Sequence, residues 1–532
     1  VSTSENIGQK LLLAFQGKEI TPEMKAALAR YRPGGITFFR SYNIENPRQV
    51  RELTADLQQY AKKLALPPLL IAVDQEGGQL MAIGEGTAPL PGNMALGATG
   101  SGELAFRAGE VLGRELSAMG INMNYAPCCD VNINPLNPVI GTRSFGENPL
   151  TVSELSAAII RGIQSQGVAA VAKHFPGHGD TSSDSHLGLP SLPHALERLQ
   201  AVEFPPFRAA IQADVKAVMS AHLALPAIDG ADAPPATLSK AILRDLLRDQ
   251  LGFNGVTVSD AMDMHAIRQG KFLAEECACA AKAGIDLLLI TADAADHERA
   301  WDGISKAYLN DSQSRVGLWD SLTRISTLKR WLADNNREPS LDVVGCAEHL
   351  SVAEEIAERS VTLVRDDVHL LPVTLNPEQR ISVILPHPAD LTPADTSSYI
   401  TPDLADSLRD YHPNVDEIVL PFAPDEHLIQ ETLKRINGSG LIVCATLNAF
   451  DCPQQAAMVN HVLKCGIPSV ILAMRMPYDL IAFPQASTYL CTYSIQSPSM
   501  KAAAKVIMGK LRPQGKLPVS IPDLYPVGYK LE

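Results

Sequence analysis

The densest set of chemically capable residues is the run from Lys173 to His186, KHFPGHGDTSSDSH, in which three histidines and two aspartates stand among glycines and serines. Pro176, Gly177 and Gly179 exclude a helix, so the run is expected to leave a strand as a loop carrying titratable groups. Two chemistries suit such a loop. His174, His178, Asp180, Asp184 and His186 could supply ligands to a metal in a hydrolase site, although their spacing is not that of a helical ligand pair. Alternatively, one histidine moves a proton while a neighbouring aspartate fixes its tautomer and stabilises the imidazolium. Asp184 and His186 are one residue apart, which allows such a pair, and an imidazole pKa of about 6.5 lies near operating pH.

Further polar residues end apolar runs. Asp74 closes one and continues into Gln75-Glu76-Gly77-Gly78; Lys173 and His174 close another; Ser259 and Asp260 close a third. An aspartate there can equally cap the following helix. His222 ends a similar run and is either a further strand-end candidate or a satisfied structural histidine, and His178 and Asp180 are expected to shape the loop.

These residues need elements that bring strand ends together. Strands are expected at residues 34–39, 69–74, 121–127, 167–175, 217–223, 255–262 and 284–290, separated by amphipathic stretches such as 102–119 and 152–166. Seven such βα units in roughly 300 residues suit a TIM-type (β/α)8 barrel, whose functional groups gather at the C-terminal ends of the strands. A helix near 318–331 precedes the polar breaker Asn335-Asn336-Arg337-Glu338-Pro339. The expected division is a barrel over 1–335, a linker over 336–350 and a second α/β unit over 351–532. Strands in the latter are expected at 381–385, 417–420, 441–445, 469–473 and 488–492. Neither a GxGxxG nor a Walker sequence opens any unit, so no nucleotide cofactor is expected.

Composition narrows the classes. The 532 residues carry 45 Lys and Arg against 59 Asp and Glu, a net charge of −14 without a basic cluster, which argues against nucleic acid as a partner. With 46% hydrophobic and 20% charged residues the chain has globular composition. No apolar run reaches the ~18 residues of a membrane span. Nine scattered cysteines favour a reducing compartment, and a cytoplasmic location is expected, although a chain beginning at Val1 is compatible with a removed leader. The pairs Cys128/Cys129 and Cys277/Cys279 lack zinc-site spacing and are expected to be packing residues.

The segment KHFPGHGDTSSDSHLGLP, residues 173–190, resembles the signature of glycoside hydrolase family 3, in its β-N-acetylglucosaminidase branch. Supporting segments follow the family's order: Gly34-Gly35-Ile36, Asp74-Gln75-Glu76-Gly77-Gly78, Asn124-Tyr125-Ala126-Pro127 with Asp130-Val131-Asn132, Gly141-Thr142-Arg143-Ser144-Phe145-Gly146 and Val258-Ser259-Asp260-Ala261-Met262. Looser similarity at residues 358–364 and 515–519 implies an α/β sandwich as the second domain. The resemblance implies a retaining exo-glycosidase that removes terminal β-linked N-acetylglucosamine from cell-wall or chitin fragments. Asp260 is then the nucleophile, His186 the acid/base and Asp184 its partner. Asp74, Arg143, Lys173 and His174 would bind the sugar, with neither metal nor cofactor. Gln79 and Ala82 stand where that branch commonly has arginines, so hydroxyl recognition is expected to be altered or supplied by another element. The alternatives are a β-glucosidase or a phosphorylase on the same fold, a metal-dependent hydrolase using the histidine loop, and a non-catalytic sugar-binding protein.

Overall fold

The structure is a computed structural model, which describes residues 6–185, 188–267, 272–309 and 312–532. Eight parallel strands form the first sheet: β1 (Leu11–Leu13), β2 (Gly35–Phe38), β3 (Leu70–Val73), β4 (Met123–Asn124), β5 (Ala169–Phe175), β6 (Ala217–Ser220), β7 (Val256–Ser259) and β8 (Leu288–Ile290). They pair in chain order, and β8 pairs back onto β1. A bridge between Val258 and Leu287 brings β7 beside β8, so the sheet curls into a barrel.

The two-residue alternation of the strands sorts their side chains. Leu12, Leu70, Ala72, Met123, Val171, Met219, Val258 and Leu289 fill the interior, where Ile325, Leu328 and Leu332 of the helix Ser312–Asn335 join them. Leu11, Leu13, Ile71 and Val73 point outward against the helices. Among these, Gly102–Ala118 and Pro149–Ser165 start on Ser101 and Asn148 side chains that accept backbone N–H groups of the first turn.

The second unit holds a six-stranded sheet: β9 (Thr362–Asp366), β10 (Ile381–Pro386), β11 (Val415–Leu420), β12 (Leu441–Thr446), β13 (Ser469–Ala473) and β14 (Thr488–Cys491), in the order β9-β14-β13-β12-β10-β11. All neighbours are parallel except β9 and β14. Ile384, Ile442 and Ile471 on one face join the apolar core that surrounds the barrel; Val383, Val443 and Leu472 on the other form a separate core.

The expected strands were found, usually shorter than read. Residues 121–127, for example, yield only Met123–Asn124. Among the described residues four strands had no expectation: β1, three leucines without β-branched residues; β9, which follows directly on the helix Ala347–Ser360; and the two strands of an antiparallel hairpin after β3, Gln75–Gly77 and Leu80–Met81. Cys128, Cys129 and Cys277 are buried, but Cys279 is exposed, which corrects its reading as a packing residue. On the helix Leu273–Ala283, residues two apart point about 200° from one another, so both cannot face the core.

Candidate active site

The strands deliver their polar ends to one cavity of about 340 Å³ at the barrel mouth, a volume at the lower end for small-molecule sites. Asp74 follows β3, Tyr125 follows β4, Lys173 and His174 lie in β5, and Asp260 follows β7; all line the cavity together with Arg143. Five of the seven expected site residues therefore share one wall system. Asp184 is buried. His186 lies outside the described residues. The residue before it, Ser185, lines the cavity, and its carbonyl accepts the Ala266 N–H at 3.1 Å, pinning this end of the loop beside the segment that carries Asp260.

The charges are organised by a residue that sequence reasoning missed, Glu76. Its Oε1 lies 2.8 Å from Arg143 Nη2 and 2.6 Å from Lys173 Nζ, while its Oε2 accepts from Arg143 Nε at 3.1 Å. Lys173 Nζ also reaches Asp74 Oδ1 at 2.5 Å. Burial alone would raise the Glu76 carboxyl, but Arg143 and Lys173 outweigh it and hold it at about 2. Burial in turn opposes the charge of both cations, yet Glu76 keeps Arg143, and Asp74 with Glu76 keeps Lys173, above their ordinary values. The Asp74 side chain is 27% exposed whereas those of Glu76 and Lys173 are 1% exposed, so Asp74 presents this network to the cavity.

Asp130 is the second missed residue. Its Oδ2 lies 2.7 Å from His174 Nδ1, and its Oδ1 accepts the backbone N–H groups of His178 at 2.7 Å and His174 at 3.3 Å. Burial pushes the Asp130 carboxyl up, but His174 and His178 bring it well below the carboxylate range. An ionised carboxylate only accepts, so Nδ1 carries the proton and Nε2 of His174 is left as an acceptor, 3.4 Å from Arg143 Nη2. Burial drives His178 down to about 4, and its Nδ1 bonds Thr181 Oγ1 at 2.8 Å. Asp180, held by His194 and Arg198, shapes the loop, whereas His178 also lines the cavity. Gly179 is required there, because a Cβ would come within 1.9 Å of the Val131 carbonyl. His222 is buried against Thr237 Oγ1 at 2.8 Å and the Ala261 carbonyl at 3.0 Å, as a structural histidine should be.

Cys128, Asp130 and His174 bring three possible metal-ligand atoms within 4.8 Å of one another. Hydrogen bonding accounts for this cluster: Asp130 Oδ2 takes the His174 ring and also the Cys128 thiol at 3.1 Å. Burial raises that thiol far above its ordinary value, so it stands here as a protonated donor to Asp130.

The second unit closes the cavity. Asp390, Asp395, Thr396 and Tyr399 line it. Gln79 is a bracket between the units: its carbonyl accepts from Thr396 N and Oγ1 at 2.9 and 3.0 Å, and its Oε1 from Thr142 Oγ1 at 2.8 Å and Arg475 Nη2 at 2.5 Å. Arg475 is anchored in turn on Asp395 at 2.9 Å.

No helix among the described residues is long and apolar enough to cross a membrane. Comparison with known proteins gives a consistent picture. The "Beta-hexosaminidase A" of Pseudoalteromonas piscicida is 30% identical, with 98% of this chain and 97% of that protein aligned. The "Beta-N-acetylglucosaminidase/beta-glucosidase" of Cellulomonas fimi is also 30% identical, over 86% of this chain and 84% of that protein. The structure of a family 3 β-N-acetylglucosaminidase from Paenibacillus sp. superposes with a TM-score of 0.93 at 35% identity, covering 98% of this chain and 99% of that one. Residues 2–328 match the model of the glycosyl hydrolase family 3 N terminal domain. This chain belongs to glycosyl hydrolase family 3 and is a glycoside hydrolase.

Proposed function

We propose that the protein is a retaining exo-glycosidase that releases terminal β-linked N-acetylglucosamine from cell-wall or chitin fragments, as in peptidoglycan recycling. The observation that carries the reading is Asp260 at the end of β7, in the same cavity as the Asp74–Lys173–Glu76–Arg143 network. In this reading Asp260 attacks the anomeric carbon and the leaving oxygen takes a proton from His186, which is partnered by Asp184. Water, deprotonated by His186, then breaks the glycosyl–Asp260 ester. Asp74, Arg143, Lys173 and His174 hold the hydroxyls and the acetamido group by charge-assisted hydrogen bonds. His174 is oriented for this by Asp130, as the bond from Nδ1 indicates.

The barrel over 1–335 is the catalytic domain, followed by a linker over 336–350 and a domain over 351–532 that closes the sugar site. Nine free cysteines suit a cytoplasmic setting. Release of nitrophenol from N-acetyl-β-glucosaminide and β-glucoside substrates, with and without phosphate, tests the assignment. Hydrolysis of the former, independent of phosphate and giving the β-anomer first, is expected. A glucoside preference, a phosphate requirement or initial α-anomer would contradict it. The double specificity in the name of the Cellulomonas fimi relative supports a second reading, comparable rates on both sugars.

A further inference from the structure

Among the described residues, the cations around the cavity are matched, with one exception. Arg143 and Lys173 are held by Glu76 and Asp74, and Arg475 by Asp395. Arg40, just after β2, also lines the cavity, but no carboxylate among the described residues lies within ion-pair distance of it. Its Nη1 donates to the Met81 carbonyl at 2.9 Å, and its guanidinium sits 4.0 Å from the centre of the Tyr399 ring. Nη2 and Nε have no hydrogen-bond partner among the described residues. Tyr399 comes from the second unit and is 55% exposed, so the pair stands at the rim of the cavity. Asp390, which also lines the cavity, and Glu85 act on Arg40 only through their charge.

We infer that Arg40, stacked on Tyr399, recognises adjacent hydroxyls of the terminal sugar. A guanidinium fixed at one nitrogen and over an aromatic face keeps its other donors as a preorganised fork. The ligand group is uncharged, because Asp74, Asp260 and Asp390 line the same cavity and would repel an acid. The fork belongs to the barrel while the ring that positions it belongs to the second unit. The second unit thereby helps to choose the sugar.

The inference rests on the glycosidase reading, and its test is arranged to fail separately. Steady-state kinetics of the full-length chain are measured on an aryl N-acetyl-β-glucosaminide and its 3-, 4- and 6-deoxy analogues, for wild type, Arg40→Met, Arg40→Lys and Tyr399→Leu. If wild type prefers the β-glucoside, the deoxy series is built on that glycoside, so loss of the N-acetylglucosamine assignment leaves the test intact. Arg40→Met is expected to lose roughly 10- to 100-fold in kcat/KM on the parent sugar, mainly through KM. On the one deoxy analogue that wild type itself handles poorly, it should equal wild type. Arg40→Lys should recover part of the loss, and Tyr399→Leu should show a smaller loss that does not add to that of Arg40→Met. An equal loss on the parent and every deoxy analogue with a lowered melting temperature, or an unchanged kcat/KM on the parent, would overturn the inference.

Discussion

Replacing Glu76 by Gln should disable the site without touching a residue assigned to bond making. Oε1 serves both Arg143 Nη2 and Lys173 Nζ, and Oε2 serves Arg143 Nε. A Gln side chain keeps one acceptor oxygen and turns an NH2 group toward a cation, so two buried charges lose their shared counter-ion. Removing one partner of a buried pair costs about 3–5 kcal/mol. Proton linkage gives an independent figure. The Glu76 carboxyl falls from 4.5 to about 2 on folding, which at roughly 1.36 kcal/mol per pH unit is about 3 kcal/mol. Because the folded value is the lower one, this stability is present at neutral pH and is lost as pH falls from 4.5 toward 2. Thermal unfolding at pH 7 should show Glu76→Gln several degrees below wild type, with the gap narrowing below pH 4.5. Displacement of Lys173 and Arg143 should cost about 100-fold in kcat/KM. Equal melting temperatures together with unchanged kcat/KM would refute the reasoning that this carboxylate organises the site.

Other expectations concern neighbouring residues. Asp130→Asn should leave the fold in place but lower kcat/KM by at least about tenfold, because His174 Nδ1 loses its ionised acceptor; ring-nitrogen NMR shifts would show the tautomer change. His178 is neutral when folded, at about 4 against 6.5, so stability should fall as pH drops from 6.5 toward 4; urea midpoints that are level across this window for wild type, and the same in His178→Gln, would contradict it. His186→Ala should slow disaccharides more than aryl glycosides with good leaving groups, which need little protonation; equal losses would remove His186 from the acid/base role.

Much of the site was legible because barrels place function at strand ends, and an apolar run ending in Asp74, Lys173 or Asp260 marks such an end directly. Glu76 and Asp130 were harder to find. Both lie in segments that carried the family resemblance, but their importance is a matter of pairing: a buried acid is visible only when the cation it must neutralise is known to be buried too. Arg40 and Tyr399 are 359 residues apart in number and carry no local signal, since their relation exists only across the two units. Gln79 shows the converse. Sequence reading treated it as a loss from the sugar site, whereas its amide and carbonyl tie the hairpin after β3 to Thr396 and Arg475. The strand β1 escaped because three leucines fit a helix as well as a strand.

The central claim, covalent catalysis by Asp260, is tested most directly by trapping. The enzyme is incubated with an activated fluoro-N-acetylglucosaminide that forms the ester faster than water breaks it, then digested and analysed by mass spectrometry. One fluorosugar is expected on the peptide containing Asp260, absent from Asp260→Ala. An adduct on a different residue, or continued normal turnover by Asp260→Ala, would contradict it.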